Sequence, residues 1–136
     1  MNKLNQDAAL VYVMVATASA DKKLVDPELK RIGAVCDVLP IFDQMTRDDL
    51  QKYSSDCRAI LATEDGIAKI VSLIKESLPV RLQETAYALA LDIAASDLFV
   101  PAEEISFLQE LGDSLGINKL TVAALEVSAQ VRARRP

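Results

Sequence analysis

Apolar residues recur along this chain at the three- and four-residue spacing of helices that bury one face. The first such segment, residues 8–18, is apolar on nearly every side, which predicts a central, buried helix. Six further segments follow, and Pro or Gly residues separate several of them. Their apolar positions are Leu29, Ile32, Val35, Cys36 and Leu39; Leu50, Tyr53, Cys57, Ile60 and Leu61; Ile67, Ile70, Val71, Ile74 and Leu78; Leu82, Ala86, Leu89, Ala90, Ile93 and Ala94; Ile105, Leu108, Leu111 and Leu115; and Leu120, Val122, Leu125 and Val131.

Local signals for helix ends agree with this division. Thr46, followed by Asp49, resembles a capping box, in which each residue's side chain accepts from the other's N–H. Gly116 followed by an isoleucine is typical of a Schellman ending, and Asn118 is a suitable cap for the last helix. No convincing strand is present. We therefore expect a single all-α domain of about seven helices that covers residues 1–136.

A corner between two helices occurs twice in the sequence. Asp21 ends the first apolar helix and Glu28 opens the next, while Asp97 and Glu104 take the same places later in the chain without a gap. Apolar residues keep the same offset. The matching pairs are Leu24 and Val100, Leu29 and Ile105, Ile32 and Leu108, Val35 and Leu111, Leu39 and Leu115, and Ile41 and Ile117. This register predicts an internal duplication of a helix-corner-helix unit, packed about a pseudo-twofold axis.

The acids of these corners are candidate metal ligands. Asp21 and Asp97 lie at helix C-termini, where the dipole disfavours a negative charge unless a cation or backbone donors are near. Glu28 and Glu104 fall in the first turn of the following helix, close enough across a tight corner to converge. Two carboxylates and some carbonyls suit Ca²⁺, Mg²⁺ or a similar divalent cation. Asp92 is an auxiliary candidate, because an acid among apolar neighbours lies at the rim or needs a Lys, an Arg or a metal.

The same acids also have an explanation without a ligand. An Asp at the start of a loop often forms an Asx-turn, and a Glu in a first helical turn complements the helix dipole. The spacing differs from that of an EF-hand loop, which alternates ligands over twelve residues around a central Gly.

Composition narrows the classes of function. The chain of 136 residues has no histidine, which excludes Ser-His-Asp and Cys-His catalysis and zinc sites that contain His. A net charge of −5 argues against nucleic acid as the main partner. The longest apolar run is shorter than a membrane span and no signal segment opens the chain, so we expect a cytoplasmic protein without a transmembrane segment.

Cysteines and arginines each allow two interpretations. Cys36 and Cys57 fall on apolar stripes, which favours buried core thiols over a redox pair. Arg132, Arg134 and Arg135 crowd the end of the last helix, where they complement the dipole. Such a basic end is commonly solvated, and the alternative is contact with an acidic partner or with lipid headgroups.

With these residues placed, the sequence resembles the TerB-like family, the tellurite-resistance TerB proteins and their relatives. The family repeats an Ala-Asp-Gly corner followed by a Glu at the start of the next helix. Here the family glycine is replaced by Lys22 in the first corner and by Leu98 in the second. The segments that carry the resemblance are Ala20-Asp21 with Glu28, Ser96-Asp97 with Glu104, and residues 39–42 (LPIF), 64–66 (EDG), 78–88 (LPVRLQETAYA) and 115–117 (LGI).

This resemblance implies an all-α fold and a role in resistance to tellurite and other stresses. It further implies metal-ion binding by the acidic corner residues, and partners among other tellurite-resistance proteins, some at the inner membrane. Related modules fused to J-domain co-chaperones indicate binding or sensing rather than catalysis. The implied location is the cytoplasm and the periphery of the inner membrane.

Three hypotheses follow for function. The first is a non-enzymatic stress-response module whose duplicated acidic corners bind a divalent cation or a protein partner. The second is a purely structural helical adaptor for protein–protein interaction, without a metal. The third, more remote, is a hydrolase that uses paired carboxylates and a metal ion.

Overall fold

The computed structural model describes residues 4–19, 26–95 and 102–136. Within these ranges the chain forms seven α-helices, one 3₁₀ turn at Pro40–Phe42, and no strand. The prediction of an all-α fold is confirmed for this part of the chain, and no helix in it is both long and apolar enough to cross a bilayer. The helices are α1 (Gln6–Ala18), α2 (Asp26–Val38), α3 (Arg47–Leu61), α4 (Gly66–Ser77), α5 (Val80–Ala95), α6 (Ala102–Leu115) and α7 (Lys119–Arg132).

Helix α1 is the axis of the fold. Residues 8–18 are all buried, and α1 packs against α3, α4 and α5, with smaller contacts to α2 and α6. These eleven positions carry no charged side chain, so the helix can be surrounded without burying an ion. The buried Thr17 hydroxyl donates to the Val13 carbonyl at 2.8 Å, which satisfies it within the helix. The predicted central, buried helix is confirmed.

The local end signals are also confirmed. The Thr46 hydroxyl accepts from the Asp49 N–H at 3.1 Å, and the Asp49 carboxylate accepts from the Thr46 N–H at 3.0 Å. At the end of α6, Gly116 has a φ of +66°, and the Ile117 N–H donates to the Gly112 carbonyl at 3.3 Å, as in a Schellman ending. The Asn118 side chain accepts from the N–H two residues on, at 2.8 Å.

Helix α6 buries three of its four predicted apolar positions, Leu108, Leu111 and Leu115, and departs from the prediction at Ile105. Ile105, predicted as an apolar position of this helix, is 46% exposed, while Phe107 is buried. The inward stripe runs through Glu104, Phe107, Leu108, Leu111 and Leu115, and Ile105 lies about 100° around the helix from Glu104. The prediction was wrong at Ile105, because it considered apolar residues alone and did not allow an acid to occupy an inward position.

Helix α7 lies at the outside of the bundle. It packs mainly on α5 through Val122, Leu125 and Ala129, which contact the core. Leu120 and Val131, predicted as apolar positions of the same stripe, lie on the solvent side instead. A helix with apolar residues on two opposite sides can bury either one, so its sequence alone does not choose between them.

The internal duplication stays a prediction. Ile32 and Leu108, which occupy matching positions, are both buried, whereas Leu29 is half-buried and its match Ile105 is exposed. Leu24 and Val100 lie outside the described residues.

Candidate functional site

The structure locates some of the predicted metal ligands but not all. Asp21 and Asp97 lie outside the described residues, and so does the side chain of Glu28, whose backbone is in the first turn of α2. Among the residues that are described, no group of three or more Cys, Asp and Glu side chains is arranged to hold a metal ion. Convergence of the corner carboxylates therefore stays a prediction.

Glu104 is the one corner carboxylate within the described part of the chain. It is 3% exposed and lies in the first turn of α6, next to the exposed Glu103. The positive end of the helix dipole favours an acid at this place. A buried carboxylate nevertheless requires polar or cationic neighbours. Glu104 thus points inward from its corner, as a ligand or a structural acid would.

Asp92 has an arginine as its partner. Its Oδ1 accepts from Nη2 of Arg132 at 2.8 Å, which joins α5 to the end of α7. Of the three kinds of partner expected for an acid at this position, Lys, Arg or a metal, the structure shows the second. The role of Asp92 as an auxiliary metal ligand stays a prediction. Arg132, one of the arginines at the basic end of the last helix, forms an ion pair within the protein.

A second polar contact fixes the inner side of α7. The Tyr87 hydroxyl of α5 donates to Oε1 of Glu126 at 3.2 Å. Burial, the Glu126 charge and this hydrogen bond raise the pKa of Tyr87 to about 12, so the phenol stays protonated at neutral pH. The face of α7 toward α5 is therefore held by an ion pair, a hydrogen bond and apolar packing.

The opposite face of α7 has no such covering. Leu120 is 79% exposed, Val127 58% and Val131 47%, and the exposed Ala124 lies between them. The four follow one another at four, three and four residues, which places them in one line along the helix. No charged residue interrupts that line. We call Leu120, Ala124, Val127 and Val131 the outer face of α7.

The outer face of α7 was not predicted from the sequence. Leu120 and Val131 were predicted as apolar positions of the same stripe as Val122 and Leu125, and no role was predicted for Val127 or Ala124. The sequence nevertheless contains a signal, because α7 has apolar residues at two sets of helical positions. One helix–helix contact can bury only one of these sets, so the other is expected to be exposed.

The two cysteines are buried and free, which confirms the prediction of core thiols. The Cys57 thiol donates to the Tyr12 carbonyl at 3.7 Å. Burial raises the pKa of Cys57 to about 12, and burial followed by the charge of Asp37 does the same for Cys36. Both thiols are therefore protonated at neutral pH, and a protonated thiol is a poor nucleophile and a poor metal ligand.

No family model, no curated protein and no solved structure matches this chain. The resemblance to the TerB-like family therefore stays a prediction that rests on the sequence segments alone.

Proposed function

We propose that this chain is a non-enzymatic helical adaptor, and that it binds a protein partner through the outer face of α7. The observation that carries the proposal is the uncharged line of Leu120, Ala124, Val127 and Val131 on the solvent side of the outermost helix. A contiguous apolar patch that is exposed on a folded domain commonly marks a protein contact. Of the hypotheses drawn from the sequence, the adaptor is the one that this geometry favours.

The chemistry of the remaining side chains supports a binding role. The chain has no histidine to activate a nucleophile, and both thiols are buried with raised pKa values. Asp92 is engaged by Arg132. From the TerB-like resemblance, we place the adaptor in the response to tellurite or a related stress. Its partners would then be other tellurite-resistance or membrane-associated proteins.

The test is affinity capture by the full-length chain, with the bound proteins quantified by mass spectrometry. We expect Val127→Glu to abolish recovery of the specific partner, because it places a charge in the middle of the apolar line. Val80→Glu is the matched control, since Val80 is 79% exposed on α5 and the substitution adds the same charge elsewhere. The double variant Asp97→Asn, Glu104→Gln should still recover the partner.

The reverse result would contradict the proposal. If the double variant lost the partner while Val127→Glu retained it, the corner acids and not the outer face of α7 would form the contact. Thermal unfolding of each variant checks that loss of binding is not loss of fold.

A second candidate function is divalent-cation binding at the duplicated corners, and the burial of Glu104 favours it. In that case Glu104 would act with Asp21, Glu28 and Asp97, and Ca²⁺ or Mg²⁺ would suit the oxygen ligands. Isothermal titration with Ca²⁺, Mg²⁺, Mn²⁺ and Zn²⁺ tests it. Absence of heat, together with an unchanged melting temperature at millimolar cation, would exclude this candidate.

A further inference from the structure

A solvent-open groove of about 730 Å³ lies between α2 and α3. Both helices pack on α1, but along this groove they do not close against each other. Its wall from α3 extends from Arg47 to Arg58, which is about 16 Å at the rise of an α-helix. The groove is therefore about three helical turns long, and it lies on helices that do not include α7.

Small residues line the middle of this groove. They are Gly33 and Ala34 from α2, and Ser54 and Ser55 from α3. A Cβ built on Gly33 would meet only Cδ2 of Leu50, at 3.9 Å, so the space beside the helix backbone is open. Because these side chains are small and α2 and α3 do not close against each other here, a helix of a partner has room to lie along the groove.

The charges along the groove have the opposite sign to the chain as a whole. Among the described residues that line it, Lys30, Arg47 and Arg58 accompany a single acid, Asp37, although the net charge of the chain is −5. None of the three cations forms a salt bridge with a described residue. Their charge is therefore available to an acidic ligand, and complementary charge favours association with one.

The floor of the groove contains a buried hydroxyl with no hydrogen-bond partner. Ser54 is 3% exposed, and its Oγ makes no hydrogen bond within the structure. A buried serine or threonine in a helix commonly donates to the carbonyl four residues earlier, as Thr17 does to Val13. An unpaired buried hydroxyl costs stability unless something else satisfies it. This group indicates a ligand with an acceptor oxygen that reaches the floor.

We infer that the groove between α2 and α3 binds an acidic amphipathic helix of a protein partner. Small or apolar residues of that helix would lie on Gly33 and Ala34, and a polar side chain would accept from the Ser54 hydroxyl. Its Asp and Glu residues would face the cations at the rims. The length of the groove and its open side favour a helix over a small anion. The inference does not depend on the outer face of α7.

The experiment uses the full-length protein and two synthetic, fluorescently labelled peptides of about 18 residues, long enough to span the groove as a helix. Both carry the same Ala and Leu face, but one is flanked by Glu and the other by Lys. Binding is measured by fluorescence anisotropy at low and at high salt. We expect saturable binding of the Glu peptide only, weakened by salt because exposed charges are screened.

Three variants and one control locate the peptide. Arg58→Glu should weaken binding of the Glu peptide about tenfold, because the rim then repels it. Ala34→Trp should abolish binding by filling the groove. Ser54→Ala should weaken it about threefold by removing the floor donor, and should leave the fold intact. Arg81→Glu changes the same charge on α5, outside the groove, and should leave the affinity unchanged.

Several results would overturn the inference. Equal binding of the Lys peptide, or equal weakening by Arg81→Glu and Arg58→Glu, would show a general surface attraction. If the Glu peptide did not bind the folded wild-type protein, the groove would not be a binding site for an acidic helix. If inorganic phosphate bound at the groove while the peptide did not, the site would take a small anion instead.

Discussion

The Asp92 carboxylate meets the Arg132 guanidinium at 2.8 Å across the contact between α5 and α7. The apolar neighbours of Asp92 in the sequence predict that this acid either lies at the edge of the buried face or has a partner. They do not predict which residue the partner is. Arg132 is 40 residues further along the chain, so the pair forms only because α7 packs on α5 in this register. The identity of the partner of Asp92 is therefore determined by the tertiary structure.

We expect this ion pair to contribute modestly to stability. The side chains of Asp92 and Arg132 are 31% and 57% exposed, and exposed pairs commonly contribute about 0.5 kcal/mol. A double-mutant cycle with Asp92→Asn and Arg132→Gln, followed by urea denaturation, should give a coupling energy of about that size. The coupling should shrink in high salt, and a value of zero at low salt would show that the contact carries no stability.

The Cys57 thiol predicts a dependence of stability on alkaline pH. Burial raises its pKa from the ordinary value of 9.0 to about 12 in the folded state, so the unfolded chain releases this proton at lower pH. The contribution of the thiol to the free energy of unfolding is therefore complete below pH 9 and is lost as the pH rises from 9 toward 12.

Urea denaturation at a series of pH values between 8 and about 11 checks this dependence. The free energy of unfolding of the wild type should fall above pH 9, and that of Cys57→Ala should fall less steeply. Cys36, Tyr12 and Tyr87, whose pKa values burial also raises, contribute to the slope that remains. Parallel pH curves for wild type and Cys57→Ala would contradict the assignment.

At the scale of elements, the turn between α3 and α4 brings the start of α4 very close to the backbone at the end of α3. Asp65 has a left-handed φ of 57°, which Asp tolerates better than most residues. A Cβ on Gly66 would lie 2.5 Å from the Ile60 carbonyl oxygen, closer than atoms can approach. The sequence predicts a turn from the Glu-Asp-Gly run, but the close approach of α4 to the end of α3 is visible only in the structure.

Two glycine substitutions should therefore have opposite effects. Gly66→Ala should lower the free energy of unfolding by about 3 kcal/mol, because backbone atoms must move to admit the methyl group. Gly33→Ala, in the open groove wall of α2, should raise it by about 0.5–1 kcal/mol, because alanine is the better helix former and meets only Leu50. Urea denaturation measures both, and a similar effect at the two positions would contradict this account.

At the scale of the whole molecule, the bundle is arranged from α1 outward. Helix α1 is buried on every side, and α7 contacts the other helices of the described chain by one face only. Stability should therefore be sensitive to α1 and insensitive to the outer face of α7. This contrast separates residues that hold the fold from residues that are available for binding.

Met14→Ala and Val127→Ala test this contrast. Met14 is fully buried in α1, so its truncation should leave a cavity and cost about 2–5 kcal/mol. Val127 is exposed, and its truncation should change stability by less than about 0.5 kcal/mol. Thermal and urea unfolding provide the comparison. Strong destabilisation by Val127→Ala would mean that the outer face of α7 is part of the core rather than a docking surface.

Sequence by itself determined the all-α class, the positions of the helices, and the capping at Thr46 and Gly116, because these depend on interactions within a few residues. It also identified α1 as the buried helix, since a segment without charge can be enclosed on all sides at no ionic cost. Only the structure showed that Glu104 and Phe107, and not Ile105, face the core on α6, and which of its two apolar stripes α7 buries. These features depend on contacts between helices that are distant in sequence. The same is true of the ion pair of Asp92, the groove beside Ser54 and the exposed line on α7.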